Sequence, residues 1–259
     1  MGGERRASNG LYYRVEGAGE PLLLLHGLMV SGAMFDPLVP YLRDAYRMLI
    51  PDLRGHGASG DLAGPYDVPA LAADLDCVVA EAGFHRPMVL GYSHGGAVAQ
   101  QFAHTRPQHV GRLVLTCTYA CNAMTRRERI EANVLVALLG ILSPGTIGKL
   151  MLRVSHIGLR PDEREWLQSL MAVNARAPMR EAAKGLASFD SRPWLNDVKI
   201  PTLVIAGARD DAVPRHHYDT LVNGIPGAAG HLVEGAGHTL AWTHTREFAD
   251  IVRSQARSL

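Results

Sequence analysis

Short apolar runs alternate along the chain with segments whose apolar residues recur at helical spacing. The runs occupy 21–25, 47–50, 88–91, 113–117 and 202–207. They are too uniformly apolar for a sheet with one wet face, and predict strands covered by helices on both sides. Segment 11–15 alternates apolar and polar residues and predicts an antiparallel strand at the sheet edge. Leu71, Leu75, Val78 and Val79 recur at i, i+4, i+7 and i+8, a stripe that predicts a helix. Val98 and Phe102 begin a second stripe, and Phe248, Ile251 and Val252 mark a terminal helix. Strands and helices in alternation predict βαβ units: an α/β fold with a mostly parallel central sheet flanked by helices.

One region breaks this rhythm. From 121 to 190 no strand pattern occurs, only helix-period segments punctuated by Ser143-Pro144-Gly145, by 158–161 and by Pro178. Strand and helix alternation resumes at Ile200-Pro201. The expected organisation is a core of 1–120 and 191–259 interrupted by a cap of about four helices at 121–190.

Composition bounds the function classes. The chain has 259 residues, 47% hydrophobic and 20% charged, with 26 basic against 25 acidic residues. No long like-charge block is present, so there is no electrostatic footprint for nucleic acid. The cluster Arg126-Arg127-Glu128-Arg129 reads as a solvated helix start. No apolar stretch is long enough to span a bilayer, and residues 1–10 lack the pattern of a secretion signal. Cys77, Cys117 and Cys121 are an odd set without metal-ligand spacing. A reducing cytoplasm is the expected location, with Cys117 and Cys121 as small apolar fillers.

Gly91-Tyr92-Ser93-His94-Gly95 matches G-x-S-x-G, with an apolar strand before it and a helix pattern after it. A serine in a tight strand-to-helix turn holds its hydroxyl clear of the backbone. The positions two before and two after it must then be almost free of side chain. The candidate nucleophile is Ser93. Among twelve histidines, His238 stands out because it lies in a glycine-containing loop between the run 231–233 and the terminal helix. It is the candidate general base. His216 and His217 read as exposed residues at a helix start. A carboxylate just past the 202–207 strand would orient the imidazole. Asp210 and Asp211 compete for that role. The oxyanion donors expected are the backbone N–H groups of His94 and Leu28, with Gly27 letting the backbone turn the latter inward. The His26 side chain reads as a loop brace.

The set His26-Gly27, Pro51-Asp52-Leu53-Arg54-Gly55-His56-Gly57-Ala58-Ser59, Gly91 to Gly96, Gly207 to Pro214 and Gly235 to His238 resembles the α/β-hydrolase fold superfamily. The resemblance runs from about Leu11 to the end with the motifs in order. It implies Asp210 rather than Asp211 as the acid, the chain order Ser, Asp, His, and a bracing role for Asp52 and Arg54. It also implies an aromatic wall at Phe35, where the family usually carries Trp.

A serine at the elbow argues against dehalogenases and epoxide hydrolases of this fold, which use aspartate. The resemblance implies a carboxylesterase or enol-lactonase acting on a small ester, lactone or thioester, without cofactor or metal. Carbon–carbon bond hydrolases share the triad, but usually carry a Gly-x-Gly-Pro-Gly loop that 27–32 lacks. Perhydrolases, cofactor-free oxygenases, hydroxynitrile lyases and a ligand receptor are the remaining alternatives. Met29, Val30, Phe35, Tyr92, Leu135 and Leu139 are the expected pocket residues, suited to an uncharged acyl group of modest size.

Overall fold

A computed structural model describes residues 4–154 and 158–254. Eight strands among them form one sheet: β1 (Glu4–Arg6), β2 (Tyr12–Gly17), β3 (Glu20–Leu25), β4 (Tyr46–Pro51), β5 (Met88–Tyr92), β6 (Arg112–Thr116), β7 (Thr202–Gly207) and β8 (Ala229–Val233). Their order across the sheet is β1-β2-β4-β3-β5-β6-β7-β8. β2 runs antiparallel to β1 and β4, and from β4 to β8 every pairing is parallel.

Segment 11–15, expected at the edge, lies one strand inside it. Glu4 pairs with Arg14 and Arg6 with Tyr12. The true edge is therefore a three-residue charged strand with no apolar periodicity to reveal it, a form that discourages further pairing.

The uniformly apolar strands have two buried faces. Leu23, Leu25, Val89, Leu113 and Leu115 pack with α2 (Val68–Glu81) and α3 (His94–Thr105) through Leu71, Leu75, Val98 and Phe102. The alternate positions Leu22, Leu24, Leu90 and Val114 pack on the other face. They meet Phe248 and Val252 of the last helix and Leu42 of the short α1 (Val39–Leu42). Period-two side chains of one strand thus feed two separate cores.

Between β6 and β7 the chain runs through α4 (Arg126–Leu139), α5 (Pro144–Val154), α6 (Pro161–Ala172) and α7 (Arg176–Ala187). It leaves and returns at one neck. Cys121 and Asp190 form an isolated antiparallel bridge, and the Ser191 N–H donates to the Ala120 carbonyl at 2.7 Å. Ser191 Oγ also bonds Gln100 Oε1 at 2.7 Å, while Gln100 Nε2 donates to the Gly96 and Tyr119 carbonyls. The neck is thereby tied to α3. The remaining helices are α8 (Arg215–Gly224), α9 (Leu240–Thr243) and α10 (Thr245–Ser254). Among the described residues no helix is long and apolar enough to cross a membrane.

Two surface expectations need correction. Glu128 is not a solvated member of its charged cluster, because its side chain is only 11% exposed. It completes a capping box with Thr125 and reaches across to α8. His217 is correspondingly buried beneath it, while His216 stays partly open. Burial there comes from an approaching helix, which local sequence does not report.

Asn174, just after α6, joins the insertion to two core loops. Its Oδ1 accepts the Gly57 N–H at 2.9 Å, and its Nδ2 donates to the Met29 and Leu170 carbonyls at 2.8 and 2.9 Å. Replacing Asn174 by Ala leaves these buried groups without partners, so a loss of about 1–3 kcal/mol in urea unfolding is expected. An unchanged midpoint and slope would show that water replaces the amide there at no cost.

Candidate active site

The parallel strands bring β3, β5, β7 and β8 to one end of the sheet, and the loops leaving that end carry the candidate residues. Ser93 sits between β5 and α3 with φ +54° and ψ −118°, a left-handed conformation that a side chain rarely adopts. Three contacts pin it. Its N–H donates to the Thr116 carbonyl at 2.9 Å, its carbonyl accepts the Gly96 N–H at 2.9 Å, and Thr118 Oγ1 donates to that same carbonyl at 2.7 Å.

The neighbouring glycines are required by contact. A Cβ on Gly95 would overlap the Leu25 carbonyl oxygen, and one on Gly91 would overlap the Gly95 carbonyl. On Gly96 it would come within 2.5 Å of Thr118 Cβ. The first turn of α3 therefore lies directly against the end of β3.

His238 follows β8, and its Nδ1 is 2.9 Å from Asp210 Oδ2. The Asp210 side chain is almost wholly enclosed, with Oδ1 accepting the Ala212 and Val213 N–H groups at 3.0 and 2.8 Å. The Asx turn thus occupies one carboxylate oxygen and leaves the other for the imidazole. Asp211 is exposed. Burial by itself lowers the His238 pKa. The charge and hydrogen bond of Asp210, with a further contribution from Asp211, outweigh burial and hold it above the ordinary histidine value. Tyr92 supports the same loop, donating its hydroxyl to the His238 carbonyl, and its ring meets the imidazole edge-on.

Leu28 lies on the loop after β3, and His94 follows Ser93 at the first position of α3. Their backbone N–H groups have no hydrogen-bond partner among the described residues. The left-handed residue of the Leu28 loop is Met29, φ +64°, and not Gly27. Gly27 adjoins the serine, and a Cβ there would sit 3.6 Å from Ser93 Cβ, an ordinary contact. His26 braces the loop: its Nδ1 faces the Gly27 carbonyl at 2.8 Å, and its Nε2 accepts the Leu53 N–H at 2.9 Å. His26, His56 and His94 form a buried row with ring centroids 5.0 and 5.9 Å apart. Burial, reinforced by their mutual repulsion when charged, pushes each down to about 3, so all three stay neutral. Asp52 accepts the Gly32 and Ala58 N–H groups at 2.7 Å each, and Arg54 pairs with Asp74. Both side chains are taken up by these contacts.

Ser93 and His238 open onto one cavity of about 220 Å³. Met29, Val30, Tyr92 and Leu135 line it. Phe35 and Leu139 do not. Phe35 is fully buried with Met34, Leu38 and the strand side chains, and Leu139 is enclosed by Ile147, Met179 and Ala183. An apolar side chain facing a core and one facing a cavity carry the same sequence pattern. Tyr119, Asn122, Leu167 and Trp242 line the cavity without having been singled out, and Met171 lines it with them. Trp242 had a signal, one helical turn past His238. The others come from elements whose approach no local pattern reveals. No Asp, Glu, Lys or Arg is among the lining residues.

Comparison with known proteins follows the same lines. A family profile described as the alpha/beta hydrolase fold matches residues 20–137. A pimeloyl-(acyl-carrier protein) methyl ester esterase from Aeromonas hydrophila is 32% identical over 250 residues, 91% of this chain and 95% of that relative. Among solved structures, an esterase from Exiguobacterium antarcticum superposes with a TM-score of 0.90 at 22% identity, covering 99% of this chain and 100% of its own. An enol-lactonase from Burkholderia xenovorans superposes at 0.88 with 20% identity, covering 99% and 100%. These last two share the fold, while the near end-to-end match to the Aeromonas relative goes further: the chain belongs to the alpha/beta hydrolase fold family.

Proposed function

We propose that this protein is a serine hydrolase of small, uncharged carboxylic esters or lactones, working through an acyl-enzyme. The observation that carries this reading is the opening of Ser93 and His238 onto one apolar cavity, with Asp210 bonded to the far side of the imidazole. Ser93 Oγ attacks the carbonyl carbon as His238 Nε2 takes its proton. Asp210 holds the Nδ1–H tautomer and stabilises the imidazolium. The N–H groups of Leu28 and His94 receive the negative charge that develops on the carbonyl oxygen. Collapse passes the proton from His238 to the leaving alkoxide and leaves the acyl group on Ser93. Water, deprotonated by His238, then releases the acid. The esterase named among the relatives and the fold shared with a lactonase support the same chemistry.

The lining bounds the substrate. The cavity is smaller than the ~300–1,000 Å³ typical of sites for drug-sized ligands. A carboxylate or ammonium group on the acyl part would meet no countercharge in it. Residues 121–190 act in this reading as a cap, because Leu135, Leu167 and Met171 from its helices close the cavity opposite Ser93.

Hydrolysis of an ester and lactone panel tests the reading directly. Ser93→Ala is expected to abolish turnover while leaving the unfolding midpoint close to that of the parent, and a fluorophosphonate should label Ser93. More than a few per cent of residual turnover would refute the nucleophile. In the pH profile of kcat/KM the acid limb is expected above about 6.5, the ordinary histidine value, because Asp210 and Asp211 hold the imidazolium. Asp211→Asn removes one stabilising charge, so its limb moves to lower pH with the plateau kept. Asp210→Asn is expected to lower the plateau itself, by about 10⁴-fold where the amide fixes the wrong tautomer. A reversed ranking of the two variants would assign the acid to Asp211.

Leu135→Trp probes the acyl pocket. Longer acyl esters should lose kcat/KM as methylenes are displaced, at about 0.8 kcal/mol each, while acetyl esters change little. An equal loss for all chain lengths would mean that Leu135 supports the fold and does not touch the acyl chain.

A further inference from the structure

A second cluster of ligand-type side chains lies outside the cavity, where α4 meets α8. Glu128, in the first turn of α4, presents Oε1 to two histidines from the first turn of α8. His217 Nε2 stands 3.0 Å from it and His216 Nε2 stands 2.7 Å from it. The three ligand atoms all lie within 4.8 Å of one another. Adjacent residues on a helix project about 100° apart, yet these two imidazole rings converge to a centroid distance of 4.2 Å.

The two contacts differ in kind. The His217 contact has the alignment of a hydrogen bond. The His216 contact does not: its Nε2 is enclosed, close to the carboxylate oxygen, and makes no aligned hydrogen bond. The Nε2 therefore stays near an anionic oxygen with no aligned partner of its own. Ligands of a tetrahedral Zn²⁺ stand in that relation, each about 2.0–2.2 Å from the ion and about 3.3 Å from one another. To reach that spacing the His217 separation opens from 3.0 Å by about 0.3 Å and the His216 separation from 2.7 Å by about 0.6 Å, and His216, its side chain 41% exposed, has room to do so. Two imidazoles and one carboxylate are a donor set that suits zinc and similar divalent transition ions. No sequence spacing announces it, since the carboxylate and the histidines are 88 residues or more apart in the chain.

We infer that Glu128, His216 and His217 form a binding site for one divalent transition-metal ion of the Zn²⁺ type, with water in the remaining position. The site is separate from Ser93. Glu128 opens the first helix beyond the neck, whereas α8 directly follows the Asp210 turn. A bound ion clamps the helical insertion to the part of the core that carries Asp210.

The test uses the full, tag-free chain, stripped with a chelator and then titrated with Zn²⁺ and Co²⁺. Expected results are one ion per chain by calorimetry and elemental analysis, visible absorption from four-coordinate Co²⁺, and a higher unfolding temperature with metal. His216→Gln, on the open side of the site, should weaken Zn²⁺ binding at least tenfold and remove the Co²⁺ signature. Glu128→Gln should do the same, and both variants should keep the parent turnover of a small ester measured without metal. Absence of stoichiometric binding by the parent chain overturns the proposal, as does affinity within threefold of parent in His216→Gln. Binding that survives in both variants and is lost in His238→Ala also overturns it, because the ion then sits on Cys117, Asp210 and His238. The readouts are binding and stability, so the result stands apart from whether the ester-hydrolase reading holds.

Discussion

How closely the first turn of α3 can approach the ends of β3 and β5 governs the rest of the site. With any side chain at Gly95 the helix would be pushed off the Leu25 carbonyl, and with any side chain at Gly91 the strand would collide with the turn. Removing both side chains lets strand and helix be separated by a single residue, and Ser93 must take up the change of direction at φ +54°. Thr116, Gly96 and Thr118 then hold its backbone. The unfavourable conformation persists because the surroundings leave no alternative. A backbone fixed in this way sets where the side chain leaves the turn.

Around this turn the electrostatics divide into two regions. Near Ser93, three buried histidines stay neutral: His26 and His56 hydrogen-bond loop backbone, and His94 packs against His56. Beside it, His238 is held toward its cation by a carboxylate whose other oxygen is occupied by an Asx turn. The same residue type acquires opposite protonation tendencies around one turn, and the difference is the anion: Asp210 bonds His238, while among the described residues no carboxylate pairs with a histidine of the row. A base that must gain a proton in the transition state is useful only where the resulting charge is compensated.

The helical insertion has a dual attachment. Its neck is closed by the Cys121–Asp190 bridge and by Ser191 on Gln100 of α3. Its far side is tied by Asn174 to the Met29 and Gly57 loops. Met29 is both the left-handed residue beside Leu28 and the acceptor for Asn174. The conformation of that loop is consequently coupled to the insertion that closes the cavity.

Sequence alone determined much of this architecture, because the determining physics is local. Strands apolar on both faces require helices on both sides, and a serine between two glycines at a strand-to-helix junction requires a tight turn. A break in strand periodicity marks the insertion. Asp210 was named from resemblance. That Asp210 bonds His238 while Asp211 is exposed is seen only in the folded chain, where an Asx turn leaves one oxygen for the imidazole. Tertiary structure alone decided which apolar residues face the cavity: Phe35 and Leu139 belong to cores, while Trp242 and Met171 line the space. It also decided that β1 lies outside β2, and that Glu128 and His217 are buried against each other across α4 and α8. Periodicity records whether a position is covered. What covers it depends on segments far away in the chain, and those meet only when the sheet and its helices have assembled.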